Sequence, residues 1–216
     1  MTRTIVRAGA IALSVSLSFA GALTAQAEDV QTKQYDDGGV YEGTFRNGLQ
    51  HGTGTYRLPN GYEYVGEWVD GEILGSGVAR FPNGSVYEGQ FAKGKPEGEG
   101  KITFADGGTY EGQWSDGKIN GTGVALYANG VRYEGAFRAA AHHGRGRMES
   151  PGGYIYEGDW VDGVKEGTAR IIYPDGAVYE GDVRGGEREG QGKLTMTDGL
   201  IYEGSWREGQ IDGTGT

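Results

Sequence analysis

Tyrosine recurs at Tyr41, Tyr64, Tyr87, Tyr110, Tyr133, Tyr156, Tyr179 and Tyr202, each 23 residues after the last, and the polar and apolar positions between them keep the same phase. A glycine stands two residues after every tyrosine, from Gly43 to Gly204. Two residues further comes an aromatic: Phe45, Trp68, Phe91, Trp114, Phe137, Trp160 and Trp206, with Val183 the one lapse. Counting the tyrosine as position 1, these residues occupy positions 1, 3 and 5, which share one face of an extended strand and scatter around a helix. Position 2 is Glu in every copy except at Val65.

The second half of each unit carries glycines at positions 12 and 14, as in Gly52 and Gly54 or Gly121 and Gly123, with Ala169 the only replacement. It passes through residues such as Phe81, Phe104, Tyr127 and Tyr173 and closes on Pro59-Asn60-Gly61, Pro82-Asn83-Gly84, Ala128-Asn129-Gly130 or Pro174-Asp175-Gly176. Proline presets one turn dihedral and glycine accepts a positive one, so these are turns. Asn47-Gly48 and Asp116-Gly117 mark a second, shorter link inside the unit. The pattern predicts one β-hairpin per unit, hairpin after hairpin, with no helix after residue 27.

The expected fold is all-β: an elongated single-layer antiparallel sheet in which each hairpin buries its aromatic face only against its neighbours. Strand glycines leave bare backbone on which aromatic rings can lie, so the tyrosines and Trp68, Trp114, Trp160 and Trp206 are assigned to the core. With strands about 4.8 Å apart, eight units span roughly 75 Å.

The motif Tyr-Glu-Gly-x-Trp, a Gly-x-Gly segment and a closing Asp-Gly, running in fixed period over residues 41–216, resembles the MORN repeat family. The histidine of that family's pattern is present as His51 and His143; the same position holds Leu74, Glu97, Asn120, Glu166, Glu189 and Asp212 in the other units. The resemblance implies a twisted antiparallel sheet used for protein association, with lipid binding as a further role of such arrays.

Outside the repeats, Arg3 and Arg7 precede an apolar stretch from Ala8 through Thr24, and Ala25-Gln26-Ala27 gives the small-x-small pattern of signal-peptide cleavage. Residues 1–27 are therefore expected to be a signal peptide cut after Ala27, against the alternative of a retained anchor. That places the chain in the periplasm or cell envelope of a bacterium, or outside the cell. Residues 28–40, with Tyr35, Asp37 and Gly38 in phase, are expected to form a half-repeat cap. Residues 41–216 hold eight repeats, the last stopping at Thr216 with an edge expected to continue or to pair with another molecule.

Composition narrows the function. With 44 glycines and 36% hydrophobic residues, no ordinary globular core is available. No cysteine offers a disulfide. Removing Arg3 and Arg7 from 20 basic residues leaves 18 against 30 acidic, a formal net charge of −12. That charge offers nothing to nucleic acid and disfavours an anionic membrane.

Neither a nucleophile–base pair nor a metal-ligand cluster stands out among three histidines and no cysteine, so no enzyme, cofactor or metal is expected. The Gly-x-Gly pairs open no helix and are structural. The position-2 glutamates repeat about 9.6 Å apart, too far to act jointly, and are expected to pair with residues such as Lys101, Arg147, Arg170 and Lys193 on neighbouring strands. One unit departs from the pattern. Repeat five links its strands through Arg138-Ala139-Ala140-Ala141-His142-His143 and lacks the glycine at position 8. Arg132, Arg138, Arg145 and Arg147 with His142 and His143 form a candidate positive spot for a phosphate, a carboxylate or an acidic partner, against drift in an exposed link. The expected function is a scaffold for protein association or self-assembly through the sheet's face or edge; the alternative is a glycan- or lipid-binding module using exposed rings.

Overall fold

The computed structural model describes residues 29–213, 215 and 216; the expected leader, 1–27, lies outside them. Seventeen antiparallel strands form one open sheet, and among the described residues there is no helix. Each strand pairs with its neighbours in sequence: Gln31–Gln34 with Val40–Arg46, that strand with Leu49–Arg57, that with Glu63–Val69, and so on to Gln210–Ile211. Each complete repeat contributes a strand of seven residues and one of nine. Sixteen such pairings at about 4.8 Å each make a ribbon of roughly 77 Å, close to the expected span.

Two kinds of turn alternate. Inside a repeat, positions 7 and 8 are both left-handed, as at Asn47 (φ 52) and Gly48 (φ 79). Two consecutive positive φ values make the turn whose twist matches a hairpin. Repeat five builds the same turn from Ala139 (φ 48) and Ala140 (φ 68), so its missing glycine leaves a strained link rather than a different one. Between repeats, the Leu58 and Tyr62 backbones close a loop in which Gly61 N donates to Leu58 O and Asn60 Oδ1 accepts from Tyr62 N. Tyr35 to Gly39 repeats those backbone bonds ahead of the first full unit.

Within each of the first seven hairpins the register slips at position 4, as between Gly43 and Phe45 or Gly112 and Trp114. The slip is a β-bulge, in which position 4 of the first strand meets positions 11 to 13 of the second. The tyrosine hydroxyl donates to the position-4 carbonyl in all eight repeats, from Tyr41 on Thr44 O (3.1 Å) through Tyr179 on Asp182 O (2.7 Å) to Tyr202 on Ser205 O (3.1 Å). Phenylalanine would fill the same space and lose this bond, so the contact with the position-4 carbonyl explains why position 1 is tyrosine.

The rings also explain the glycines. Glycines at positions 3 and 14 pair in an unbroken row, Gly43 with Gly54, Gly54 with Gly66, Gly66 with Gly77, interrupted only by Ala169. A Cβ on Gly123 would sit 2.5 Å from the Tyr110 hydroxyl and 2.6 Å from its ring carbons. Each tyrosine thus lies across the glycines of its own hairpin, and seven of them, Tyr41 through Tyr179, are almost fully buried.

The aromatic face is a zigzag. Each tyrosine stands edge-to-face between the position-5 ring of its own repeat and that of the next, as Tyr41 does with Phe45 and Trp68 (both 5.1 Å) and Tyr110 with Trp114 (5.6 Å) and Phe137 (5.0 Å). The zigzag runs unbroken from Phe45 to Trp160, is interrupted at Val183, and resumes between Tyr179 and Trp206. The opposite face carries the position-2 glutamates, paired as expected in register with basic residues: Glu111 opposite Lys101, Glu157 opposite Arg147 and Arg170, Glu180 opposite Lys193.

Candidate functional site

The six residues singled out in repeat five do not form one patch. Arg132 donates to Glu134 at 2.7 Å. Arg138 grips both oxygens of Asp162 at 2.6 and 2.8 Å. Arg147 is held by Glu149 and by Glu157, the latter at 2.7 Å. Arg145 is exposed opposite Asp159 in the register. The expected local excess of positive charge is thus matched by Asp159, Asp162 and Glu157, which repeat six lays alongside; charge counted along the chain had left them out. The two histidines part company, His142 going to the aromatic face and His143 to Asp162.

His143 shows what position 11 does. Its Nδ1 accepts the Asp162 backbone N–H at 3.4 Å, and His51 accepts that of Asp70 at the same distance. Where this position is glutamate the bond remains: Glu97 accepts from Asp116 N (2.8 Å), Glu166 from Gly185 N and Glu189 from Glu208 N (both 3.0 Å). The side chain caps the first left-handed residue of the following repeat's turn, and either acceptor suffices.

The chemically distinctive row is position 10, directly opposite position 5 in every hairpin register and therefore on the aromatic face. It reads Gln50, Ile73, Pro96 and Ile119 in repeats one to four, then His142, Lys165 and Arg188 in repeats five to seven. Its backbone carbonyl is fixed, since each accepts from position 8 of the next repeat, as Ile119 O does from Ala140 N (2.9 Å) and His142 O from Gly163 N (2.8 Å). Only its side chain is free to vary.

Each basic member of the row is half-buried over rings. His142 stacks on Tyr133 with centroids 3.6 Å apart and bonds Tyr127 Oη at 2.7 Å. Burial, reinforced by the nearby Lys165 charge, lowers its pKa to about 4. Lys165 Nζ lies 4.6 Å from the Tyr154 ring centroid and 4.9 Å from that of Tyr156, and donates to Tyr154 Oη at 3.1 Å. Burial lowers its pKa. The Arg188 guanidinium sits 4.1 Å from the Trp206 ring, beside Tyr179 and Tyr173, in the space that the missing ring at Val183 leaves. Such cation–π contacts partly replace lost hydration. Among the described residues, no carboxylate lies within ion-pairing distance of Lys165 or Arg188, nor of Lys33, Lys93, Lys118, Arg145 and Lys193; Lys165 and Arg188 differ from these in being half-buried over rings, and Arg188 also donates to Gly209 O.

Two depressions flank this row. One of about 160 Å³ is apolar, lined by Phe104, Tyr110, Ile119, Tyr127 and Phe137, and is left open because Gly108 stands where Tyr62 and Tyr154 stand in their repeats. The other, about 470 Å³ and shallower, lies between Tyr173, Arg188, Leu194 and Met196. Burial pushes the phenols of Tyr87, Tyr110, Tyr133 and Tyr179 up to about 12, so all remain protonated hydrogen-bond donors. Among the described residues no group of three or more histidines and carboxylates has the geometry to hold a metal ion.

The MORN repeat family model matches residues 41–61, 64–86, 87–109, 110–132, 133–153, 156–178, 179–201 and 202–216. Alsin from Rattus norvegicus is 50% identical over 50 residues, and alsin from Homo sapiens 46% over 50; each match covers 21% of this chain and 3% of alsin, so the chain spans a small fraction of those relatives. Among solved structures, the TCP domain of Drosophila melanogaster SAS-4 in complex with a proline-rich motif of Ana2 has a TM-score of 0.40 at 18% identity, covering 60% of this chain and 71% of that one. The TCP10 domain of Danio rerio CPAP has a TM-score of 0.32 at 16% identity, covering 81% and 83%.

Proposed function

This chain belongs to the MORN repeat family, and we propose that it is an exported protein-binding scaffold whose working surface is the aromatic face. One observation carries this reading: the sheet is a single layer, so its aromatic face has no second layer over it. Phe104 and Tyr127 are exposed along it, as are Met196 and Leu200 further along the sheet. Exposed apolar side chains on an uncovered face are where association sites form.

The expectation that no catalysis resides here remains part of the proposal, because repetition spaces like groups about 9.6 Å apart, beyond the reach of a joint acid–base pair. The glycan alternative needs free ring faces. The tyrosines stand edge-on and buried against their neighbours, with Trp68 and Trp160 only 5% and 4% exposed, so stacking surface for a sugar is confined to Phe104 and Tyr127. Export rests on residues 1–27 and is tested separately. Expression of the full chain in a bacterial host should yield a mature protein beginning at Glu28 in the periplasmic fraction. A retained Met1 in the cytoplasm overturns that part. For the scaffold itself, crosslinking in the native envelope should give a discrete complex or oligomer, and a strictly monomeric product refutes it.

A further inference from the structure

On the aromatic face the tyrosine is held by its hydroxyl bond, the glycines by the ring above them and the aromatics by the zigzag. Position 16, opposite the tyrosine, varies among Tyr56, Ala79, Ile102, Ala125, Met148, Ile171 and Leu194, and only position 10 turns basic. In three consecutive repeats it places His142, Lys165 and Arg188 in line on a face that carries no carboxylate ion-paired to them, while the paired glutamates lie on the opposite face. Asp175, which shares the Arg188 depression, uses Oδ1 to accept the Ala177 N–H. Lys165 and Arg188, half-buried cations without counter-ions, gain more from an incoming anion than solvated cations do, and His142, uncharged near pH 7, offers a ring N–H.

Each of these residues also has a phenol from the preceding turn beside it, Tyr127 with His142, Tyr154 with Lys165 and Tyr173 with Arg188. A carboxylate arriving between cation and phenol can accept from both. Successive sites are one repeat apart, about 9.6 Å at two strand spacings. Three residues of polyproline-II-like backbone advance roughly 9.3 Å. The apolar depression at Phe104, Ile119 and Tyr127 lies at the His142 end of the row and suits an aliphatic or aromatic side chain.

We propose that the aromatic face of repeats five to seven binds an extended acidic segment of a partner protein, lying across the strands, with a carboxylate at every third residue over His142, Lys165 and Arg188 and an apolar residue beyond His142. This rests on the scaffold reading and specifies its partner chemistry. An acidic polysaccharide offers the carboxylates without the apolar side chain, which is why the protein segment is favoured.

The test uses the full chain and three probes: a twelve-residue peptide with Glu at every third position and a terminal Leu, the same peptide with Gln for Glu, and an oligouronate. Fluorescence of Trp160 and Trp206 reports occupancy. The Glu peptide should bind, the Gln peptide should not, and the affinity should fall with added salt. Replacing Lys165→Ile and Arg188→Ile together should weaken binding by about tenfold per cation removed. Isoleucine already occupies this position in repeats two and four, so the fold should survive, and a thermal melt checks it. The variant Arg138→Ala/Arg145→Ala, off this face, should bind like the parent. Absence of peptide binding, equal binding by the double isoleucine variant, or tighter binding of the oligouronate overturns the proposal. A native crosslinked partner retained by the double isoleucine variant overturns it while leaving the scaffold reading intact.

Discussion

Repeats two to four and repeats five to seven share the same tyrosines, glycine row and turns, yet their aromatic faces differ in kind. In the first group Ile73, Pro96 and Ile119 cover an unbroken zigzag of rings. In the second, His142, Lys165 and Arg188 lie over the rings and the zigzag stops at Val183. The tyrosines, glycines and rings stay nearly constant and position 16 stays apolar or aromatic, so the change in character of the face is written in position 10. The first group covers its rings with apolar side chains; the second lays the neutral His142 and the cations of Lys165 and Arg188 over them and gives up one ring, at Val183.

The largest effect separating the two should come from deleting a ring. Tyr110→Ala removes two edge-to-face partners, Trp114 and Phe137, and should cost about 3–5 kcal/mol. Tyr179→Ala removes one, Trp206, and should cost roughly 1 kcal/mol less. Urea unfolding of both variants checks this; equal losses would mean that the break at Val183 does not weaken the packing.

A smaller change should abolish the contrast. Tyr→Phe keeps the ring and deletes only the hydroxyl bond to the bulge carbonyl, which is 2.9 Å at Tyr87 and 2.7 Å at Tyr179. Both substitutions should cost about 1 kcal/mol, since the same hydrogen bond is lost in either half. Unequal costs would show that the bulge is not the common element assigned here.

These cases also show how far the residues could be read in order along the chain. Strands, turns and the buried stripe were legible because the period of 23 aligns every constrained position with its copies. The tyrosine hydroxyl's role was not, because the position-4 carbonyl comes within its reach only in the folded, bulged hairpin. The arginines of repeat five were grouped by proximity in sequence, whereas Asp162, which holds Arg138, lies 24 residues away and arrives by strand pairing. His142 stands out along the chain by its unusual link, whereas nothing local marks Lys165 or Arg188 as its companions. Aligning the units on position 10 and asking which residue faces position 5 across the hairpin would have revealed the row.

Next in size is the turn of repeat five, the boundary between the two groups. Ala140→Gly relieves a left-handed alanine and should stabilise by about 0.5–1 kcal/mol, after the greater freedom of unfolded glycine is subtracted. Gly117→Ala, the same change reversed in repeat four, should destabilise by about 1 kcal/mol. Thermal melts of the pair test whether the strain is real. An Ala140→Gly variant that melts lower would instead give the alanines a packing role.

The smallest effect is the sharpest, because it reports the face itself. His142 has a folded pKa near 4, below the roughly 6.5 of an unfolded histidine, so the unfolded chain binds its proton first. Its contribution to stability is therefore complete above about pH 6.5 and is lost as the pH falls toward 4. Its partial exposure to solvent limits the loss to roughly 1 kcal/mol. The surrounding groups, Tyr127, Tyr133, Phe137, Trp160 and Lys165, supply no negative charge to offset the proton. His142→Gln copies repeat one, where Gln50 takes this position and donates to Tyr35 Oη at 2.6 Å. Carboxylates titrate in the same range, so the informative quantity is the difference in melting temperature between parent and variant at pH 7.5 and at pH 4.5. The parent should lose ground on acidification relative to the variant, and the Glu peptide, if it seats a carboxylate over His142, should shrink that difference. A gap independent of pH would mean that His142 is solvated and that the face of repeats five to seven is no more desolvated than the charged face behind it.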